Sequence, residues 1–155
     1  MEESVKKPPF SRVLQVGIVV RDVEKTVERL TSLGIGPFTV KSLPMEREEW
    51  FRGEPMYADF KIYAAMIGDV EIELIQPLSG ESPHKEFLET KGEGIQHIAC
   101  AVADVPKTVE ELTKLGASEM LRARFRGAGE VAYLDLGVSN IIVELMKREQ
   151  LIDRL

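Results

Sequence analysis

The chain has 155 residues, of which 44% are hydrophobic and 30% charged, and its formal net charge is -6. This composition is typical of a globular protein, and the negative charge argues against a nucleic-acid partner, because neutralising a phosphate backbone needs a basic face. No apolar run in the sequence approaches the roughly 20 residues that span a bilayer, so we expect no membrane insertion. The single cysteine, Cys100, and a first segment without an apolar signal core predict a cytoplasmic location.

The sequence contains an internal repeat with an offset of 82 residues. Val16 to Gly34 and Ile98 to Gly116 agree at 11 of 19 positions. Self-similarity of this length indicates the duplication of one supersecondary unit. Each copy is too short to be expected to fold alone, so we predict one domain over residues 1–155, built of modules 12–77 and 95–147 and a linker, 78–94.

In chain order, the first module reads as strand, helix, strand, strand, strand. β-Branched residues predict the first strand over Val13 to Val20, and an apolar stripe after the N-cap Asp22 predicts a helix over Val23 to Leu33. The other strands are predicted over residues 38–43, 57–66 and 70–76. Between them, Pro44 to Pro55 is predicted to be an exposed loop that forms a lid or a subunit contact, or folds an aromatic residue onto its own module.

The second module repeats this order. A short helical piece around His84 to Leu88 is predicted in the linker before it. The module is then predicted as a strand over 95–102, a helix over 105–115, and strands over 118–124, 130–136 and 140–146.

Four polar residues hold equivalent positions in the two modules. The repeat aligns Gln15 with His97 in the first strands, and Glu73 with Glu144 in the last strands. If these strands are central and adjacent, a pseudo-twofold axis brings all four side chains together. An imidazole and three oxygen donors then form a site for one divalent ion of Co, Mn, Ni, Zn or Mg. Alternatively, His97 is a core histidine, the two glutamates are edge-strand charges, and Gln15 is solvated.

The modules and this ligand pattern resemble the vicinal oxygen chelate superfamily, which includes glyoxalase I, methylmalonyl-CoA epimerase, extradiol dioxygenases and antibiotic-resistance proteins. The resemblance covers roughly residues 12–148. It is closest to the methylmalonyl-CoA epimerases, whose spacing is followed by Glu73–Leu78, Ser82–Pro83, Phe87–Leu88 and Gly94–Ile98. It implies the α+β glyoxalase fold, in which two tandem βαβββ modules form a curved mixed sheet around a metal-binding cleft. The resemblance to this family also implies a homodimer.

The resemblance implies a metal-dependent isomerase or lyase that abstracts a proton next to a carbonyl, with an acyl-CoA thioester or a similar carbonyl compound as substrate. Glu144 is the expected metal ligand and base. Glu54 is the candidate for the second acid or base, and Glu46, Glu48 and Glu49 compete with it. Glu71 shares the face of Glu73 and also competes with Glu54, but we predict that it is an exposed strand charge.

Two alternative functions stay open. Gln15 stands where epimerases usually carry a histidine, and the set Gln, Glu, His, Glu is more similar to glyoxalase I, which implies a lactoylglutathione lyase-like enzyme. The second alternative is a non-catalytic module that binds a small molecule or an antibiotic. Arg122 and Arg124 alternate along one strand and would hold a substrate carboxylate or phosphate at the cleft rim, although solvated edge arginines are the commoner arrangement.

Overall fold

The computed structural model describes residues 9–147. Within this range the chain forms one ten-stranded sheet and three helices. The strands are β1 Arg12–Val19, β2 Thr39–Lys41, β3 Arg47–Phe51, β4 Glu54–Pro55, β5 Asp59–Ile67, β6 Val70–Ser79, β7 Gly94–Ala101, β8 Ser118–Phe125, β9 Gly129–Asp135 and β10 Ile142–Met146. The helices are α1 Val23–Ser32, α2 Pro83–Lys91 and α3 Val105–Lys114.

The repeated sequence produces the same local structure twice. Asp22 and Asp104 are the N-caps of α1 and α3, and each side chain accepts a hydrogen bond from the backbone N–H three residues later. Such a cap satisfies one of the free donors of the first turn. Both helices therefore begin at the predicted residue. Each ends one residue before its predicted end.

The first strands of the two modules lie side by side at the centre of the sheet. The strand order is β2-β5-β6-β1-β7-β10-β9-β8-β3-β4, in which β1 and β7 are antiparallel and each pairs in parallel with the last strand of its own module. The sheet is mixed and curls into a half-barrel around a cleft. This architecture confirms the predicted fold class.

The segment from Pro44 to Pro55 is not the exposed loop that the sequence predicts. It forms β3 and β4, and β3 pairs with β8 of the second module, with Glu49 opposite Ala123. Arg47, Glu49 and Phe51 alternate towards the inside of the curled sheet, because side chains two apart on a strand share a face. The prediction was wrong because the partner strand lies about 75 residues further along the chain, where a local pattern cannot reveal it.

Buried apolar residues pack on both faces of the sheet. On the outer face, α3 packs through Val105 and Val109 onto Leu134 and Leu145. A separate buried cluster combines residues from both modules: Leu14, Met56, Ala99, Leu121, Phe125, Tyr133 and Ile142. Within residues 9–147 no helix is both long and apolar enough to cross a membrane.

Candidate active site

A continuous series of close polar contacts joins the four predicted ligand residues in the interior of the sheet. Gln15 Nε2 donates to Glu73 Oε2 at 3.1 Å, and Gln15 Oε1 lies 3.2 Å from His97 Nε2. His97 Nε2 in turn lies 3.2 Å from Glu144 Oε2. All four residues are buried. The structure therefore brings together Gln15, Glu73, His97 and Glu144 from four adjacent central strands.

The strand register explains this convergence. Gln15 lies opposite Ala99, and Ala99 lies opposite Glu144, so a small residue separates the two polar side chains. In the neighbouring row, His97 lies opposite Gly17. Because Gly17 and Ala99 leave space above the sheet, the longer side chains can lean over them and meet.

The contacts of His97 determine what the site can hold. Nδ1 lies 3.1 Å from Gln96 Oε1, so this nitrogen is placed to donate, while Nε2 faces the oxygens of Gln15 and Glu144. A lone pair on Nε2 would be repelled by two acceptors unless a proton or a cation stands between them. A hydrogen bond at Nδ1 is also how proteins orient a metal-ligating imidazole.

The two 3.2 Å distances from His97 Nε2 to Gln15 and Glu144 are similar to the spacing of ligands around a divalent ion. Two ligands about 2.1 Å from an octahedral ion and at right angles to each other are about 3.0 Å apart, which is close to both 3.2 Å distances from His97 Nε2. Among residues 9–147 no three histidine, cysteine, aspartate or glutamate side chains form a metal cluster by themselves. The third donor at this site is the amide oxygen of Gln15. The amide nitrogen of the same residue donates a hydrogen bond to Glu73.

Lys41 is a member of this site that the sequence did not reveal. Its Nζ lies 2.5 Å from Glu71 Oε1 and 2.6 Å from Glu73 Oε2. Gln15 Nε2 also donates to both carboxylates, at 2.6 Å to Glu71. Glu71, predicted to be an exposed strand charge, is buried, because Lys41 and Gln15 supply the donors that a buried carboxylate needs.

Glu49, on β3, lies on the wall of the cavity above these groups. The cavity holds about 50 Å³ of water-accessible space, and Glu49, Glu73, His84, Tyr133 and Glu144 are among the residues that line it. An adjoining groove of about 510 Å³ also contains Glu49. Glu49 is therefore at the junction of a small inner cavity and a larger open groove.

Burial changes the acid–base behaviour of Glu49. Desolvation raises the pKa of the Glu49 carboxyl above its ordinary value of 4.5, although the hydrogen bond and the charge of Arg47 act in the opposite direction. Arg47 Nε donates to Glu49 Oε2 at 3.1 Å. The same guanidinium donates to the carbonyl oxygens of Pro44 and Ala58, which fixes its position and so that of the carboxylate.

His84 is a buried residue of the cavity wall. It follows the N-cap Ser82 of α2, and its Nε2 lies 3.2 Å from the hydroxyl of Tyr133. Burial, followed by the charge of His97, lowers the pKa of His84 to about 3. Its Nδ1 is buried and has no hydrogen-bond partner among residues 9–147. The Ser82-Pro83 pair before His84 predicts the start of a helix. The burial of His84 depends on how that helix, α2, packs against the sheet.

Three predicted site residues are not brought to this cavity. Glu54 is exposed on β4, and it does not line the cavity. Arg122 and Arg124 lie on the opposite face of β8 from Leu121 and Ala123, which do line it. Both arginines form ion pairs with Glu130 on this outer face.

A curled sheet of two βαβββ modules with a polar inner cleft defines a protein of the glyoxalase fold. Residues 14–133 match the Glyoxalase/Bleomycin resistance protein/Dioxygenase superfamily, and the chain belongs to this superfamily. It is 29% identical over 128 residues to the uncharacterized protein YqjC of Bacillus subtilis (strain 168), which covers 77% of this chain and 91% of that protein.

Solved structures show the same architecture. The hypothetical protein BH1468 from Bacillus halodurans C-125 has a TM-score of 0.66 at 26% identity, over 88% of this chain and 94% of that one. Methylmalonyl-CoA epimerase from Mycobacterium tuberculosis has a TM-score of 0.66 at 20% identity, over 94% of this chain and 93% of that one. A methylmalonyl-CoA epimerase in complex with methylmalonyl-CoA and NH4+ has a TM-score of 0.61 at 20% identity, over 88% of this chain and 93% of that one. At 20% identity these likenesses show the fold.

Proposed function

We propose that this protein is a metal-dependent enzyme that moves a proton at a carbon next to a carbonyl, with an acyl-CoA thioester as the first substrate to test. The observation that carries the proposal is the convergence of Gln15 Oε1, His97 Nε2 and Glu144 Oε2 next to a cavity that Glu144 and Glu49 line. This arrangement combines ligands for one cation with two carboxylates for proton transfer.

In this proposal Gln15, His97 and Glu144 hold one divalent ion of Co, Mn, Ni, Zn or Mg, and Glu73 is the fourth ligand. When bound, the ion supplies Lewis acidity that stabilises negative charge on a substrate carbonyl oxygen. Glu144 is the base that removes the proton from the neighbouring carbon. Burial of all four side chains supports this role, because water is excluded and each electrostatic contact is strengthened.

The second proton-transfer group in the proposal is Glu49, in place of Glu54. Glu49 lines the cavity together with Glu144, and burial raises its pKa, which favours a carboxyl that can return a proton. Arg47 orients it. A removal by one carboxylate and a return by the other on the opposite face of the carbon would invert that carbon.

The size of the cavity supports a substrate with a small reacting end. About 50 Å³ accommodates a few atoms, whereas the adjoining groove of about 510 Å³ can hold a longer part of the molecule. Structural likeness to an epimerase in complex with methylmalonyl-CoA makes that thioester the first candidate. The homodimer, the cytoplasmic location and the lack of a nucleic-acid partner stay predictions from the sequence.

The test is exchange of the substrate proton with solvent deuterium. Protein loaded with Co²⁺ is incubated with methylmalonyl-CoA in D2O, and loss of the C2 proton is followed by NMR. We expect exchange by the parent protein and a fall of at least about 100-fold in Glu144→Gln, because a positioned base contributes that much or more. Glu110→Gln, on the exposed face of α3, is the matched control and keeps the parent rate.

Full exchange by Glu144→Gln would overturn the assignment of the base. A hemithioacetal of methylglyoxal is the second substrate, since the ligand set of Gln, Glu, His and Glu resembles that of glyoxalase I. Turnover of the hemithioacetal without exchange on methylmalonyl-CoA would identify a lactoylglutathione lyase-like enzyme instead of an epimerase. Binding of either compound without any exchange would leave the non-catalytic binding module.

A further inference from the structure

A buried ion pair distinguishes the first module from the second. Lys41 Nζ contacts Glu71 and Glu73, and the side chains of these three residues are at most 10% exposed. The repeat places Ala123 at the position of Lys41, and the last strands place Ile142 at that of Glu71. The strand pairing agrees with this correspondence. Lys41 on β2 lies opposite Ile62 of β5, and Ala123 on β8 lies opposite Val131 of β9. The ion pair is therefore a feature of the first half of the duplicated site, and the second half has Ala123 and Ile142 at these positions.

Lys41 neutralises two carboxylates that face the same side of β6. Its Nζ lies within hydrogen-bond distance of both carboxylates, so the ammonium is a cation held beside a proposed metal ligand. Lys41 Nζ and Gln15 Nε2 both contact Glu73 Oε2, so a metal ion that binds this oxygen has to displace the ammonium.

Glu71 provides a second position for the ammonium. It lies 2.5 Å from Lys41 Nζ, as close as Glu73, and Gln15 Nε2 contacts both carboxylates. Lys41 could leave Glu73 and keep an ion pair with Glu71, so its charge would stay compensated in the buried site.

We propose that Lys41 competes with the divalent metal for Glu73, and that Glu71 receives the ammonium when the metal binds. The protein carries its own cation in the metal-free state, and metal affinity is set by how readily Lys41 moves from one carboxylate to the other. This inference rests on the metal site of the proposed function and specifies how that site is regulated.

The test compares Co²⁺ affinity in the parent with that in the double variant Lys41→Met/Glu71→Gln, by titration of the cobalt absorption bands. The two substitutions remove one positive and one negative charge, so a general electrostatic effect predicts unchanged affinity. Competition predicts affinity at least tenfold tighter, with cobalt bands at saturation like those of the parent, because Glu73 is a ligand in both proteins. Lys61→Met is the control for loss of a lysine, because Lys61 pairs with Glu24 at the surface.

A second variant covers the case in which the first does not fold. Lys41→Met/Glu71→Ile introduces apolar side chains at both positions, as Ala123 and Ile142 do in the second module. Near-UV circular dichroism establishes that each variant is folded. The proposal is overturned if the folded variants bind Co²⁺ no more tightly than the parent, or do not bind it. Proton exchange by the parent is measured separately, so tight cobalt binding without exchange would contradict the enzyme and leave the competition standing.

Discussion

The imidazole ring of His97 lies directly over the backbone of Gly17, its partner across β1 and β7. A Cβ atom at Gly17 would be 2.0 Å from Cε1 and 2.3 Å from Nε2 of this ring. No side chain can occupy that space while His97 keeps its contacts with Gln15 and Glu144. The glycine is therefore part of the site, although it contributes no donor or acceptor side chain to it.

We expect Gly17→Ala to displace His97. Overpacking of a buried site destabilises a protein by roughly 1–3 kcal/mol, and the displaced Nε2 can no longer meet the two oxygens. Urea unfolding measures the first effect, and Co²⁺ titration should show at least a tenfold loss of affinity. In a His97→Ala background the same change should cost much less, because the clashing ring is gone. Equal costs in both backgrounds would contradict this account.

The two carboxylates of the hairpin β3–β4 should differ sharply in importance. Glu49→Gln should slow interconversion of the methylmalonyl-CoA epimers at least about 100-fold, because it removes the group that returns the proton. Glu54→Gln, exposed on the neighbouring strand, should leave the rate within about twofold of the parent. Chiral analysis of the product gives both rates. The reverse ranking would restore Glu54 as the second acid or base.

His84 should make the stability of the protein depend on pH. Its pKa is lowered from 6.5 to about 3, so below pH 6.5 the unfolded state binds a proton that the folded state excludes. The stability that His84 contributes is thus present above pH 6.5 and is lost as the pH falls towards 3. Between pH 7 and pH 5 this loss amounts to about 2 kcal/mol.

The matched variant for this effect is His84→Gln, which lacks the titrating ring. Urea unfolding at pH 7 and pH 5 should show a fall in the free energy of unfolding that is smaller in the variant by about 2 kcal/mol. Equal falls in the two proteins would mean that His84 titrates normally in the folded state.

Arg124 should not contribute to substrate binding in the inner cleft. It lies on the outer face of β8, where it pairs with Glu130 and its guanidinium is 5.4 Å from the centre of the Trp50 ring. Arg124→Ala should leave KM for the thioester within about twofold and reduce stability by at most about 1 kcal/mol, as is usual for exposed pairs. A large increase in KM would return this arginine to the binding site.

Signals between neighbouring residues were sufficient to predict the local elements of the fold. The repeat, the Asp22 and Asp104 caps and the alternation of the strands are local signals, and both helices and the central strands lie where these signals predict them. The four polar residues could also be found, because duplication marks equivalent positions without any knowledge of the fold. That prediction required β1 and β7 to be adjacent, and in the structure these two strands are paired.

Long-range packing determines which other side chains join the site. β3 pairs with β8 from a distant part of the chain, and this pairing turns Glu49 inward and leaves Glu54 exposed. Lys41 reaches Glu71 and Glu73 from an edge strand, and His84 enters the cavity wall with α2. Such contacts depend on the curl of the sheet and the packing of its edges. A local pattern specifies which face of a strand a residue occupies, but the tertiary fold decides what that face meets.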